Sequence, residues 1–160
     1  MSLFDAAVAF VLRHEGGYSR DSDDPGGETN WGISKRAYPA LDIAELTREE
    51  AVELYRADYW RAARCDDLPG QVALLVFDAA VNQGLGATVT MLQEELGVAT
   101  DGVLGPLTLA AATSRNHDDL ALGYCARRAM RYATTKNLDR YGRGWYRRLL
   151  DAYRTALVHG

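Results

Sequence analysis

The chain has 160 residues, of which 48% are hydrophobic and 25% charged, and its formal net charge is −4. This balance is typical of one globular domain, and no apolar run approaches the ~18–20 residues needed to span a bilayer, so we expect no integral membrane segment. The amino terminus has Asp5 before its apolar stretch and no basic start, which predicts a helix and not a signal peptide. We therefore expect synthesis in the cytoplasm, with Cys65 and Cys125 as buried free thiols.

The first helix is predicted from about Leu3 to Glu15. Ser2 caps it in this prediction, with Asp5 at the capping-box position, and Gly16-Gly17 ends it because glycine adopts the left-handed stop conformation at little cost. The stretch from Gly16 to Ser34 has no helical period and is rich in Gly, Asp, Asn, Ser and Thr. We expect a loop or small β-hairpin there.

Helical patterns dominate the rest of the chain. Thr47 and Glu50 form a second capping box, which predicts a helix that continues through Trp60. The segment from about Gln71 to Gln83 is apolar on nearly every side, which predicts a central buried helix. The fold class is therefore mainly α, a compact helical fold with a small β-hairpin or loop after the first helix. Four more helices are predicted, at about Gly86–Leu96, Leu107–Thr113, His117–Lys136 and Tyr141–Val158.

Charge is distributed unevenly along the chain. Residues 1–111 hold 18 acidic and 8 basic residues, whereas residues 112–160 hold 4 acidic and 10 basic residues. In the basic third, arginines alternate with tyrosines and Trp145, a pattern that can bind an anionic polymer or surface. The other interpretation is a solvated helix face whose arginines offset the acidic remainder. Because the whole chain is acidic, we expect no nucleic-acid partner.

Glu15 is the first candidate for chemistry, because it stands at the carboxyl end of the first predicted helix. The negative end of the helix dipole disfavours ionisation of a carboxyl group there, so a partly buried Glu15 is expected to keep its proton, as a general acid needs. The competing interpretation is an ordinary exposed glutamate at a helix end.

Several carboxylates follow Glu15 within 13 residues. Cleavage of a glycosidic bond uses one carboxylic acid as proton donor and a second carboxylate that attacks, activates water or stabilises positive charge. Turn formation explains the same residues, and a calcium loop fits less well because the bidentate Glu is missing. With three histidines far apart, no metal site is predicted, and no motif indicates a cofactor. The carboxylates are Asp21, Asp23, Asp24 and Glu28.

The sequence resembles the glycoside hydrolase family 108 muramidases, which are lysozyme-like proteins of phages and bacteria. The most specific part is E-G-G-Y followed by D-x-G-G-x-T-N-x-G-I, and the similarity covers nearly the whole chain. A segment similar to the family's peptidoglycan-binding region follows. The matching segments are Glu15–Tyr18, Asp24–Ile33, Phe77–Gly84, Leu92–Thr108 and Gly142–Arg148.

The resemblance implies a lysozyme-like fold that hydrolyses the β-1,4 bond between N-acetylmuramic acid and N-acetylglucosamine. Glu15 would be the proton donor, and Glu15, Asp24 and Thr29 look like the Glu–Asp–Thr order of phage-type lysozymes, with four residues between Asp24 and Thr29 where that pattern has five. We expect one domain over residues 1–160, with a muramidase-like segment at 3–86 and a peptidoglycan-binding-like helical segment at 87–158.

Four further residues are candidates to bind the glycan. Tyr18 and Trp31 have rings that can stack on sugars, although large aromatic residues more often belong to a core. Asn82 and Gln83 close an apolar helix, where they either bind an acetamido group or cap the helix.

Two alternatives to a muramidase remain. A non-catalytic cell-wall-binding or export-associated protein of the same fold would share every motif but leave peptidoglycan intact. A nucleic-acid-binding helical domain is supported only by the basic third. For the leading interpretation, a phage or prophage endolysin that acts at the cell wall or periplasm after release is the simplest account.

Overall fold

A computed structural model describes residues 1–20 and 27–160. Within this part, the fold has seven α-helices and a small antiparallel sheet, which confirms the predicted mainly α fold. No helix in this part is long and apolar enough to cross a membrane. The helices are α1 (Leu3–Glu15), α2 (Arg48–Tyr55), α3 (Gly70–Gln83), α4 (Leu85–Leu96), α5 (Pro106–Ser114), α6 (His117–Ala133) and α7 (Leu138–His159).

Both predicted capping boxes are confirmed. The Ser2 hydroxyl accepts from the Asp5 backbone N–H at 3.1 Å, and the Asp5 carboxylate accepts from the Ser2 N–H at 2.8 Å. Thr47 and Glu50 do the same at the start of α2, where the Glu50 carboxylate also accepts from the Thr47 hydroxyl at 2.8 Å. These reciprocal bonds satisfy backbone donors that a helix start otherwise leaves unpaired.

The second predicted helix changes type midway. Regular α2 ends at Tyr55, and the chain continues as a π-helical segment over Arg56–Arg61. There Trp60 is buried, with its ring 5.3 Å from that of Phe4 and 5.5 Å from that of Phe77. The sixth helix also differs from its prediction, because α6 ends at Ala133.

The predicted hairpin is a three-stranded antiparallel sheet with strand order β1-β2-β3. The strands are β1 (Ser19–Arg20), β2 (Glu28–Asn30) and β3 (Ile33–Ser34). Thr29 lies in the middle strand, opposite Ser19 on one side and Ser34 on the other. Only glycine or a strained residue adopts positive φ, and the β2–β3 turn has two such positions, Trp31 at φ 54° and Gly32 at φ 79°.

Helix α3 lies at the centre of the fold, as predicted. It contacts α1, α4, α6 and α7, and its residues from Val72 to Ala80 are completely buried. One of these buried residues is Asp78, the charged exception within an apolar helix. The predicted free thiols are buried as well, and burial raises the pKa of Cys125 to about 11 and that of Cys65 further.

Candidate active site

Glu15 is the last residue of α1 and lies where α1, α7 and the β2–β3 turn meet. Its side chain retains 23% of its exposure, and its Oε1 accepts from Nη1 of Arg148 at 2.7 Å. A charge-assisted bond of this length fixes the position of the carboxylate. The sequence-based expectation rested on the helix end and on partial burial of Glu15, and it did not include the Arg148 guanidinium that bonds to the carboxylate.

The β2–β3 turn holds the base of Glu15 from the other side. A Cβ atom added at Gly32 would lie 2.7 Å from Glu15 Cβ and 2.8 Å from its Cγ, so only glycine permits this approach. The turn itself is fastened by Tyr55, whose hydroxyl donates to the Trp31 carbonyl at 2.9 Å. Burial, and then the charge of Glu15, raises the pKa of Tyr55, so this phenol stays a donor.

Arg148 is held in turn by the buried Asp78. Its Nε donates to Asp78 Oδ1 at 2.9 Å, while Asp78 Oδ2 accepts from Nη2 of Arg128 at 2.7 Å. Burial by itself lowers the pKa of both arginines, but the neighbouring carboxylates outweigh it and raise the pKa. Both guanidiniums therefore remain charged. The Asp78 carboxylate links them on the interior side of Glu15.

The carboxyl end of α3 touches the same network through Gln83 and Asn82. Gln83 Oε1 accepts from Nε of Arg128 at 2.9 Å, and Asn82 Oδ1 accepts from the hydroxyl of Tyr132. Two buried donors, Gln83 Nε2 and Arg148 Nη2, have no hydrogen-bond partner among the residues that the structure describes. Because Arg128 needs an acceptor, the orientation of the Gln83 amide is determined.

The remaining candidates lie in and around the sheet. Tyr18 is exposed, and its hydroxyl donates to Glu28 Oε1 at 2.6 Å. Trp31 is partly buried and its Nε1 donates to the Leu46 carbonyl at 3.2 Å, so its ring is fixed against the 43–46 loop. Thr29 is partly buried in β2. Asp24, like Asp21 and Asp23, lies outside the described residues.

Sequence reasoning missed Asp78, Arg128 and Arg148 as members of the site. A signal was present for two of them: Asp78 is the single charge inside the apolar run of α3, and Arg148 is the last residue of the matching segment Gly142–Arg148. These arginines were instead grouped with the basic surface of the last third. Both are buried, so they contribute to the site and not to an exposed basic face.

The basic third is partly neutralised by pairing within the chain. Arg127 bonds to Glu95 at 2.6 Å and lies 3.4 Å from Glu94, while Arg154 pairs with Asp151. Five other arginines of this region are exposed: Arg115, Arg131, Arg140, Arg143 and Arg147. In the described part of the chain, no group of three or more His, Cys, Asp or Glu side chains is arranged to hold a metal ion.

Comparisons with known proteins find similarity over nearly the whole chain. The Glycosyl hydrolase 108 family model matches residues 3–84, and a model described as a Predicted Peptidoglycan domain matches residues 87–150. A solved structure, "Structure of Brucella abortus SagA", is 33% identical, with 98% of this chain and 94% of that chain covered and a TM-score of 0.88. No curated protein matches the sequence.

These matches confirm the lysozyme-like fold and identify peptidoglycan as the partner. The chain belongs to the glycosyl hydrolase 108 family and is a glycosidase that hydrolyses peptidoglycan.

Proposed function

We propose that this protein is a muramidase, which hydrolyses the β-1,4 bond between N-acetylmuramic acid and N-acetylglucosamine with Glu15 as proton donor. The observation that carries this proposal is the setting of the Glu15 carboxylate. It is fastened by Arg148 at 2.7 Å and by the turn at Gly32, yet 23% of the side chain stays exposed. A general acid must be both held in place and accessible to the leaving oxygen.

In the proposed reaction, the bond between C1 of the muramic acid and O4 of the glucosamine breaks. The O4 oxygen takes the Glu15 proton as it leaves, and a water oxygen forms the new bond to C1. The proton lost by that water goes to a carboxylate. If this is the second carboxylate, proton exchange with solvent then returns a proton to Glu15 and restores the enzyme. Asp24 is our candidate for the second carboxylate, and Thr29 for the residue that positions it or the water.

Glu15 must acquire a proton although Arg148 favours its ionised form. The carboxyl end of α1 opposes ionisation through the helix dipole. A sugar ring over the exposed part of the side chain adds desolvation, which disfavours the charged form. Glycan binding therefore favours the acid state of Glu15 at the moment when that state is needed.

The glycan-binding residues are proposed from the donors that the site leaves available. Gln83 is partly exposed at the end of α3, and its Nε2 has no partner among the described residues, so a small movement of the side chain allows it to donate to an acetamido carbonyl of the substrate. Asn82 is the neighbouring polar residue at the end of α3, oriented by Tyr132. Tyr18 offers an exposed ring and Trp31 a fixed, partly buried one, and both are proposed to face sugar rings.

We place this activity at the cell wall or periplasm, reached after release from the cytoplasm as in an endolysin. The exposed arginines of α6 and α7 support a further contact with an anionic envelope surface. Residues 1–111 carry a net charge of −10, which such a surface would repel without a basic counterpart.

The experiment compares the wild-type protein with Glu15→Gln on purified peptidoglycan and on permeabilised Gram-negative cells. We expect the variant to fold and to lose activity by a factor of roughly 10²–10⁴, the usual contribution of a positioned acid. Reduction of the products with borohydride should convert muramic acid, and not glucosamine, to its alditol.

Three outcomes would contradict the proposal. A folded Glu15→Gln variant with wild-type activity removes Glu15 as the acid. Reduced glucosamine in the products assigns the cleavage to the other glycosidic bond. Binding to sacculi without any new reducing ends supports the alternative of a non-catalytic wall-binding protein.

A further inference from the structure

Four side chains of alternating charge form a line of ion pairs that runs from the interior of the protein to Glu15. Arg128 and Asp78 are completely buried, Arg148 is 10% exposed, and Glu15 lies at the open end. The three bonds along this line measure 2.7, 2.9 and 2.7 Å. Asp78 uses a different oxygen for each arginine, so it holds Arg148 through Nε and leaves Nη1 for Glu15.

The charges of this line depend on whether Glu15 carries its proton. With an ionised Glu15, two positive and two negative groups cancel. With a protonated Glu15, the same groups carry one uncompensated positive charge, and three of the four side chains are at most 10% exposed. A buried net charge is unfavourable, so every member of the line contributes to the proton equilibrium of Glu15.

Other titratable groups surround the line on each packed element. Tyr55 of α2 and Tyr59 of the π-helical segment lie near Glu15, and burial raises the pKa of both, so they stay neutral. Tyr132 of α6 is also neutral, because burial raises its pKa. His14 of α1 pairs with Asp151 of α7 at 3.1 Å. The charges that bond to one another behind Glu15 are therefore those of Arg148, Asp78 and Arg128.

We propose that Asp78 and Arg128 are positioning residues that set the proton state of Glu15 through Arg148. This inference rests on the proposed role of Glu15 as the general acid. Asp78 orients Arg148 and cancels part of its charge, while Arg128 cancels part of the charge of Asp78. If this buried pair had only a structural role, removing its negative charge and removing its positive charge would not change the proton state of Glu15 in opposite directions.

The test measures the pH profile of kcat/KM on soluble peptidoglycan fragments. The fall of this profile at alkaline pH, its alkaline limb, reports the loss of the proton from the general acid. Asp78→Asn removes a negative charge and leaves two guanidiniums, which favours ionised Glu15 and moves the limb to lower pH. Arg128→Gln removes a positive charge, keeps an amide donor toward Asp78 and moves the limb to higher pH. We expect shifts of roughly one pH unit, equivalent to about tenfold in activity at a fixed pH on the limb.

Three further variants complete the design. The double variant Asp78→Asn/Arg128→Gln makes no net charge change, so its limb should return toward that of the wild type. Asp78→Glu keeps the charge and should retain the wild-type limb in spite of any lower kcat. Glu53→Gln is the matched control, since this exposed carboxylate pairs with Arg56 at 3.6 Å on the surface and should leave the limb in place.

A limb that moves to lower pH in Asp78→Asn and to higher pH in Arg128→Gln supports the proposal. Unchanged limbs, shifts in the same direction, or both shifts with the reverse sign overturn it while leaving Glu15 as the acid. Activity retained in Glu15→Gln, measured alongside, overturns the proposed function and this inference together. If Asp78→Asn does not fold, Arg128→Gln and Asp78→Glu still decide, because the first must move the alkaline limb to higher pH and the second must leave it in place.

Discussion

Gly32 lies directly against the base of Glu15, so closely that a Cβ atom at Gly32 would be 2.7 Å from Glu15 Cβ. The two residues come from different elements, the turn between β2 and β3 and the end of α1. The turn therefore limits where the Glu15 side chain can lie, and Arg148 fixes its carboxylate from the opposite side.

Gly32→Ala should destabilise the protein and reduce its activity. The added methyl group clashes with Glu15, and alanine is strained at the φ of 79° found there. Overpacking costs about 1–3 kcal/mol, and the backbone strain adds to it. Thermal or urea unfolding measures the stability, and release of reducing ends measures the activity.

Gly86→Ala is the matched control for this change. Gly86 lies within α4, and a Cβ there meets nothing within 4 Å. Alanine in a helix is more favourable than glycine by about 0.5–1 kcal/mol, so this variant should be as stable as the wild type or more stable. Equal stability of Gly32→Ala and wild type would contradict the close approach of the turn to Glu15.

Gln83→Glu should weaken recognition of the acetamido group. The substitution keeps an oxygen for Arg128 Nε but replaces the Nε2 donor. A lost hydrogen bond to a buried partner costs about 1–3 kcal/mol, or roughly tenfold or more in binding. The measurement is kcat/KM on N-acetylated and chemically de-N-acetylated glycans, for both proteins.

The comparison between the two substrates separates this contact from the effect of the added charge. The wild type should prefer the acetylated glycan, and Gln83→Glu should lose most of that preference. If the preference is the same in both proteins, the Gln83 amide does not bind the acetamido group.

Replacement of Arg131, Arg140 and Arg143 by glutamine should weaken binding to whole sacculi at low salt. These three side chains are exposed, whereas Arg127 is engaged by Glu94 and Glu95. Attraction between exposed charges is screened as the Debye length falls from ~10 Å at 0.1 M to ~3 Å at 1 M salt. Hydrolysis of short soluble fragments should remain close to that of the wild type.

Arg127→Gln serves as the control in the same binding assay and should have a smaller effect. Sacculus binding that is unaffected by the triple replacement would show that these arginines are only a solvated surface. An equal loss on sacculi and on soluble fragments would place them at the glycan-binding site instead.

Gln93→Leu should destabilise the turn that precedes α5. The Gln93 side chain is completely buried, donates to Asp101 Oδ1 at 2.7 Å and to the Val103 carbonyl at 3.0 Å, and accepts from the Gly102 N–H at 2.9 Å. Leucine removes these bonds, and because Asp101, Gly102 and Val103 are exposed and can bond to water instead, we expect a loss of about 0.5–1.5 kcal/mol per bond. Urea unfolding at neutral pH measures the loss, and wild-type stability would contradict it.

Asp101 makes the same turn sensitive to acid. Its pKa is lowered, first by the bond from the Val103 backbone and then by that from Gln93. A lowered folded pKa gives a stabilisation that is complete above the unfolded value of about 4 and is lost as the pH falls through the folded value. The stability difference between the wild type and Asp101→Asn should therefore narrow below about pH 4, and a constant difference would contradict this role.

Local patterns in the sequence predicted most of the fold. The capping boxes at Ser2 and Thr47 and the apolar run of α3 each depend on residues within one or two helical turns, so they can be read from the chain directly. The same locality explains why Glu15 was identifiable at the end of α1. Glycines in the following loop likewise indicated tight turns.

The surroundings of Glu15 were decided only by the tertiary structure. Arg148 lies 133 residues along the chain from Glu15, and Asp78 lies 70 residues from Arg148. Arginine spacing on α6 and α7 does not distinguish a buried ion pair from an exposed basic face, because that depends on which helix packs against which. Packing of α1, α6 and α7 around α3 buries Arg128 and Arg148 against Asp78, while Arg131 and Arg143 stay at the surface. Two arginines of the basic third, Arg128 and Arg148, therefore belong to the site that holds Glu15, and only the packing of distant helices determines this.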